Sequence, residues 1–269
     1  MSARFLVVPQ WQGSGSSRAM RLVTGAEAIR GDLPASATAT VEVPLEAGDA
    51  EGTRIRRLST IRLVRERLTA ALAEVANERG GTPIVIGGDC GVAYAPVEHA
   101  AQTRRVAVLW LDAHPDAESA ESSTSGAYTG MVLRHLVDDG VLDGSSIVLA
   151  GVRDASPSED AFLAEAGVAV LEGTGGIAEA LAATNADALH LHVDLDVLDP
   201  GAFDGAHSTV PFGWTVEQLL AVVREARAAL PMASASIAGF APDDAPGADH
   251  SGDLATILRL IGALAKPAA

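Results

Sequence analysis

The sequence predicts an α/β fold in which helices cover both faces of a mostly parallel sheet. Two observations predict it. Apolar, β-branched runs alternate with amphipathic runs along the chain, the pattern of repeated βα units. The apolar runs are also nearly continuous in hydrophobicity, as strands buried on both faces must be.

The elements follow in order. Arg4–Pro9 is the first expected strand, a Phe-Leu-Val-Val run closed by proline. A long helix is expected over Arg54–Glu78, where Leu58, Ile61, Val64, Leu68, Leu72 and Val75 recur at helical spacing. Strand Ile84–Gly87 and helix Val92–Gln102 come next, then strand Val106–Leu111 and helix Thr129–Asp138. Strand Ser146–Ala150 leads to helix Pro157–Ala166, with Ser156 or Ser158 as its cap. Strand Val168–Leu171, helix Gly176–Thr184 and strand Ala188–Val193 continue the alternation. Thr215 and Gln218 form a capping-box pattern ahead of helix Val216–Ala229. Strand Ala235–Phe240 and helix Leu254–Ala265 complete the series. The 269 residues carry no internal repeat or low-complexity linker, so residues 1–269 are read as a single domain.

Composition narrows the function classes. No apolar run reaches the roughly 18 residues of a membrane helix. The N-terminus lacks the regions of a signal peptide. Cys90 is the single cysteine, which excludes an internal disulfide and fits a reducing compartment. The expectation is a soluble, cytoplasmic protein. A formal net charge of −16 argues against nucleic acid or anionic membrane as partners.

The chemistry gathers after strands. Asp112-Ala113-His114-Pro115-Asp116 follows one apolar run, and Asp194-Leu195-Asp196 with Asp199-Pro200 follows another. In extended chain, residues i, i+2 and i+4 share a face, so each stretch aims its polar groups at one point. Gly87-Gly88-Asp89-Cys90, Arg153-Asp154 and Asp243-Asp244 also follow strands. Ligands in parallel sheets sit beyond the carboxyl ends of the strands, so five strand ends point to one site. Asp112, Asp116, Asp194 and Asp196 crowded together repel one another unless cations offset them. Carboxylates with one imidazole suit a hard or borderline ion such as Mn²⁺, and two divalent ions match four negative charges. The chemistry implied is metal-assisted hydrolysis. A lone Asp-x-Asp is more often a turn and a lone strand histidine more often packed. Two such clusters ending two strands of one sheet favour metal.

The three blocks Gly87-Gly88-Asp89, Asp112-Ala113-His114-x-Asp116 and Asp194-x-Asp196-x-x-Asp199-Pro200 resemble the signatures of the ureohydrolases, that is, the arginases, agmatinases and formimidoylglutamases. Gly25–Arg30 resembles an early turn of that family, Ser125-Gly126 a loop after the histidine block, and Gly151-Val152-Arg153-Asp154 a Gly-x-Arg segment. The resemblance implies a three-layer α/β/α fold around about eight strands, two Mn²⁺ ions, and a homo-oligomer, trimer or hexamer. It implies hydrolysis of a guanidino substrate, arginine-like or agmatine-like, by a metal-bridging hydroxide. Asp112 and Asp194 would bridge the ions, Asp116 would hold one, and His114 with Asp196 the other. Asp89 and Asp199 would orient ligands by hydrogen bonds.

Four departures qualify the resemblance. Cys90 stands where the family has a metal-binding histidine. Either its thiolate ligates a softer ion such as Zn²⁺ or Fe²⁺, or it stays a thiol and that metal site is weak. Some relatives, hydroxyarginine hydrolases among them, resemble it in having cysteine here. Thr129 occupies the position of the proton-shuttling histidine and cannot act as an acid near neutrality; its plainer role is a helix cap. Gly239 stands where a carboxylate grips the guanidinium, which leaves Asp243 or Asp244 as substitutes or as loop residues. Glu118 replaces an asparagine that binds the amino-acid carboxylate and favours a cationic or neutral substrate end. Ser125 and Glu159 are the remaining substrate-contact candidates. A second expectation stays open: a catalytically impaired paralogue that keeps metal or ligand binding.

Overall fold

A computed structural model describes residues 3–77, 81–245 and 247–266. In chain order the elements are β1 (Ala3–Val8), α1 (Arg21–Gly31), β2 (Thr38–Thr40), α2 (Leu58–Asn77), β3 (Thr82–Gly87), α3 (Tyr94–Ala101), β4 (Val106–Leu111) and α4 (Val132–Asp138). They continue with β5 (Ile147–Ala150), α5 (Pro157–Ala166), β6 (Ala169–Leu171), α6 (Ile177–Ala183), β7 (Ala188–Asp194), α7 (Val216–Ala229), β8 (Met232–Ala238) and α8 (Ser251–Ala265).

The eight strands form one sheet in the order β2-β1-β3-β8-β7-β4-β5-β6, with every pairing parallel. β4 shows why the chain makes three layers. Its Ala107, Leu109 and Leu111 enter one core with α1, α6, α7 and α8. Val106, Val108 and Trp110 enter a second core with α3, α4 and α5. α2 covers the same second face, packing Leu68 and Leu72 on Leu6, Val8 and Val85. β3, β8, β7 and β4 are neighbours at the centre, and their carboxyl ends open on the same edge. No helix among the described residues is long and apolar enough to cross a membrane.

The differences from expectation have local causes. β2 went unseen because three polar or small residues at a sheet edge carry no apolar run. The segment expected as a turn at Gly25–Arg30 lies inside α1. Gly25 is there for close approach: a Cβ on it would stand 2.0 Å from the Phe240 carbonyl oxygen. α2 starts at Leu58 rather than Arg54, after Arg57 at φ 59°. Its expected end at Glu78 lies outside the described residues. β8 begins at Met232 and stops at Ala238, and Gly239 at φ 87° turns the chain away. α5 and α7 have their expected bounds, each closed by a capping box, Ser156 with Glu159 and Thr215 with Gln218.

Candidate metal centre

Three strand ends build the centre. After β3, the buried Asp89 carboxylate accepts from Gln10 Nε2 (2.8 Å), Gly13 N (2.9 Å) and Gly91 N (2.9 Å). Burial pushes Asp89 up to about 6 in spite of these donors. It thereby caps the short 3₁₀ turn Cys90–Ala93 and fixes Cys90. The Cys90 thiol lies 3.0 Å from Asp194 Oδ2 and 4.0 Å from Asp112 Oδ2.

After β4, the chain turns so that His114 N donates to Asp112 Oδ1 at 2.7 Å. His114 Nδ1 is 3.0 Å from Asp196 Oδ2 and 3.4 Å from Asp112 Oδ1. Asp116 sits in left-handed backbone at φ 53°, and its buried Oδ2 has no hydrogen-bond partner. Such strain is held only where the surroundings over-determine it, as at ligand sites. After β7, Asp194 Oδ1 accepts from Asp196 N at 2.9 Å, and Asp196 Oδ1 accepts from Ala113 N at 3.0 Å. The β4 and β7 ends are thus tied into one place.

The electrostatics call for positive charge. Burial, then the Asp196 charge, pushes Asp112 well above the usual carboxylate range. Burial and the Asp112 charge do the same to Asp116. Burial with the Asp196 charge raises Asp194 to about 7. Burial also acts on Asp196, but its bonds to the His114 ring outweigh it and hold it low. Burial lowers His114, and the Asp112 and Asp196 carboxylates overcome it and raise the ring to about 12. One imidazolium cannot offset four carboxylates, whereas divalent ions can. Among the described residues two groups have ligand spacing, their donor atoms within 4.8 Å of one another: Cys90–Asp112–His192 and Asp112–His114–Asp196. Asp112 belongs to both. The donor set, the shared carboxylate and the unpartnered Asp116 oxygen fit a pair of divalent ions.

A sequence model of the arginase family matches residues 15–260. The chain is an arginase-family hydrolase. It is 32% identical over 211 residues to the arginase of Bacillus caldovelox, covering 70% of this chain and 68% of that one. It is 28% identical to the formimidoylglutamase of Bacillus subtilis, over 53% of this chain and 48% of that one. The solved Bacillus caldovelox arginase superposes with TM-score 0.85 at 25% identity, covering 100% of this chain and 99% of the other. The proclavaminate amidino hydrolase of Streptomyces clavuligerus shares the fold, with TM-score 0.73 at 23% identity over 97% and 90% of the two chains.

In this arginase-family chain the metal-type residues floor a cleft of about 560 Å³, with Ser16, Arg18, Glu118, Thr129, Glu159 and His207 around them. Several expected roles change. Thr129 caps no helix; its Oγ1 accepts from Cys90 N at 3.2 Å and steadies the thiol. Asp199 accepts from Gly201 N and Gly213 N at 2.9 and 3.0 Å, holding a loop rather than orienting any ligand side chain. Glu159 borders the cleft and accepts from Ala117 N and Ser156 N, one bond at each carboxylate oxygen, so it also ties two loops together. Ser125 is exposed, bonds to Ala127 N and lies outside the cleft lining. Asp243 and Asp244 pair with Arg21 at 3.0 and 2.6 Å and are loop residues. Glu118 faces the cleft and accepts from Ser122, from Ser156 Oγ at 2.6 Å and from Ser158 Oγ at 3.1 Å. Burial raises it, but those hydroxyls win and keep it below the usual range, hence ionised.

Three residues escaped the sequence reading. Arg153, taken only as part of a segment, donates to the carbonyls of Gly151, Asp196, Val197, Val210 and Pro211. His207 enters the cleft from the loop before α7, with Nε2 2.7 Å from Ser14 Oγ. Burial and then the Arg18 charge lower its pKa. His192 lies under the cleft with Nε2 buried and unpartnered. Its signal was available, since His190, His192 and Asp194 share one face of a strand. Burial pushes His190 down to about 3 and His192 well below the imidazole range, so both are neutral.

Proposed function

We propose that the chain hydrolyses a linear C–N bond of a guanidino substrate, arginine-like or agmatine-like, at a centre for two divalent ions. The observation that carries the reading is Asp112 shared between two ligand-spaced groups on a floor of four buried carboxylates. Asp112 and Asp194 would be shared by the two ions, Asp116 and Cys90 would help hold one, and His114 with Asp196 would hold the other. When bound, such ions supply Lewis acidity and a hydroxide-level nucleophile near neutral pH. The protein's part is positional and electrostatic. Asp89 and Thr129 hold Cys90, Arg153 holds the loop bearing Asp196, and the capping serines hold Glu118 as an anion at the cleft. That anion disfavours a substrate carboxylate and favours a cationic or neutral tail. Thr129 has no proton to exchange near neutrality, and the neutral His207 ring is the cleft group suited to accept a proton and pass it to the leaving amine.

The proposal includes Mn²⁺ as the ion of the oxygen-and-nitrogen site, a trimer or hexamer of identical chains, and a cytoplasmic location, supported by the resemblance and the single cysteine. The test is urea or ammonia release from a panel of guanidino compounds after loading with Mn²⁺, Zn²⁺ or Fe²⁺. Metal-dependent release is expected. No release with any compound and any of the three metals overturns it. Retained metal binding would then favour the second reading, an impaired paralogue, to which Thr129 and Gly239 lend support.

A further inference from the structure

We propose that His192 is a metal ligand: with the Cys90 thiolate and Asp112 it forms a sulfur–nitrogen–oxygen site for a borderline-soft ion of the Zn²⁺ class, beside the oxygen-rich site. This rests on the reading of the centre as metal-binding.

A buried imidazole is usually a structural group satisfied on both nitrogens. His192 is not. It is fully buried, its Nε2 has no partner, and it belongs to the ligand-spaced group with Cys90 and Asp112. A chain of hydrogen bonds determines which nitrogen carries the lone pair. The Ser234 hydroxyl donates to the Pro96 carbonyl at 3.4 Å, and a carbonyl can only accept. Ser234 Oγ therefore accepts from His190 Nδ1–H at 2.7 Å. The neutral His190 then has a bare Nε2, which accepts from the Ser236 hydroxyl at 3.0 Å. Ser236 has spent its proton, so it accepts from His192 Nδ1–H at 2.8 Å. The last ring is left with its lone pair on Nε2, the state a metal ligand needs.

The ring is also held in place. β4 and β7 pair Trp110 with His192, and the two ring centroids lie 3.8 Å apart at 31°. The same indole donates from Nε1 to Asp112 Oδ2 at 3.3 Å, so one side chain fixes both an imidazole and a carboxylate of the group. Thiolate and imidazole together select Zn²⁺-like ions over Mn²⁺. On binding, the Cys90 sulfur–metal bond forms as the thiol proton leaves to solvent. His192 thus supplies from β7 an imidazole to the site where Cys90 takes the first block's histidine position.

The test is X-ray absorption at the metal edge with elemental analysis, on chelated full-length protein reloaded with Zn²⁺. Wild type is expected to hold two ions per chain, one with a sulfur neighbour at roughly 2.3 Å. His192→Ala should fall to one ion and lose the sulfur signal. His192→Gln keeps the bulk and the bond to Ser236 and should behave likewise should the alanine variant not fold. Ser236→Ala should weaken the sulfur-ligated ion by roughly 10–100-fold. A wild-type spectrum without sulfur, or a folded His192 variant that keeps two ions and the sulfur signal, overturns the inference while leaving the metal reading in place. A wild type that binds no ion overturns both.

Discussion

Gly239 and Asp194 approach so closely that a Cβ on the glycine would stand 2.3 Å from Asp194 Oδ1. The backbone there is left-handed, at φ 87°. Gly239→Ala should therefore both strain the chain and displace a floor carboxylate. A loss on the order of 2 kcal/mol is expected, together with weaker divalent-ion binding. Thermal melting and metal titration of the variant check both. An alanine variant with unchanged ion affinity would mean that Asp194 does not need its present position. The contact also explains why a longer carboxylate side chain has no room at residue 239.

Arg153 should act through main chain alone. Its five carbonyl acceptors come from three segments. Arg153→Lys keeps the charge but cannot span them with one ammonium. A loss of about 2 kcal/mol in urea unfolding is expected, since buried carbonyls lose their donors. Turnover should fall with it because the Asp196 loop loosens.

The chelated protein should lose stability as pH rises above about 6.5. Asp194 is raised by burial to about 7, above its unfolded value. Such a group contributes stability that is complete below the unfolded pKa and is lost as pH rises through the folded one. His190 works in the opposite direction. Burial lowers it to about 3, so its contribution is present above 6.5 and lost as pH falls toward 3. The two oppose each other below 6.5; above it the last of the Asp194 effect adds to that of His114, whose ring Asp112 and Asp196 raise to about 12 against its burial, and both lower stability as pH rises. The melting temperature of chelated protein should drop between pH 6.5 and 8.5, and saturating Mn²⁺ or Zn²⁺ should remove the drop. A flat profile without metal would show that the carboxylates and the His114 ring they hold do not carry this burden.

Glu118→Asn removes the anion at the cleft. Relative kcat/KM for a guanidino acid over its decarboxylated amine should rise about tenfold, equivalent to about 1.4 kcal/mol. An unchanged ratio would show that Glu118 does not face the substrate tail. Ser156 and Ser158 hold the Glu118 side chain in place.

Cys90→His should shift metal preference toward Mn²⁺, because imidazole is a harder donor than thiolate. Competition between Mn²⁺ and Zn²⁺, read by elemental analysis, measures it. An unchanged ratio would place Cys90 outside the metal's reach.

What could be read in the sequence was local. The apolar run of β4 and the acids after it are adjacent, so strand and site appeared together. The capping box of α7 pairs Thr215 with Gln218, three positions apart, and marks where that helix starts, and Ser156 is one of the two serines that offer a cap for α5. α1 was hidden because Gly25 looks like a turn until Phe240, far along the chain, is packed against it. Thr129 and Asp199 were misjudged because their partners, Cys90 and Gly213, depend on the tertiary fold. His192 needed Ser236 on a neighbouring strand and Pro96 on α3 before its free nitrogen acquired meaning. Arg153 and His207 likewise act across 40 residues or more.

The Arg153 fan has an evolutionary consequence. A guanidinium that grips carbonyls recognises a path of the chain, not the side chains strung along it. Residues 210 and 211, outside the core, can be exchanged for others of similar backbone preference while the grip persists. The rim of the cleft is thereby free to drift toward new substrates over a frame that does not have to be reinvented each time.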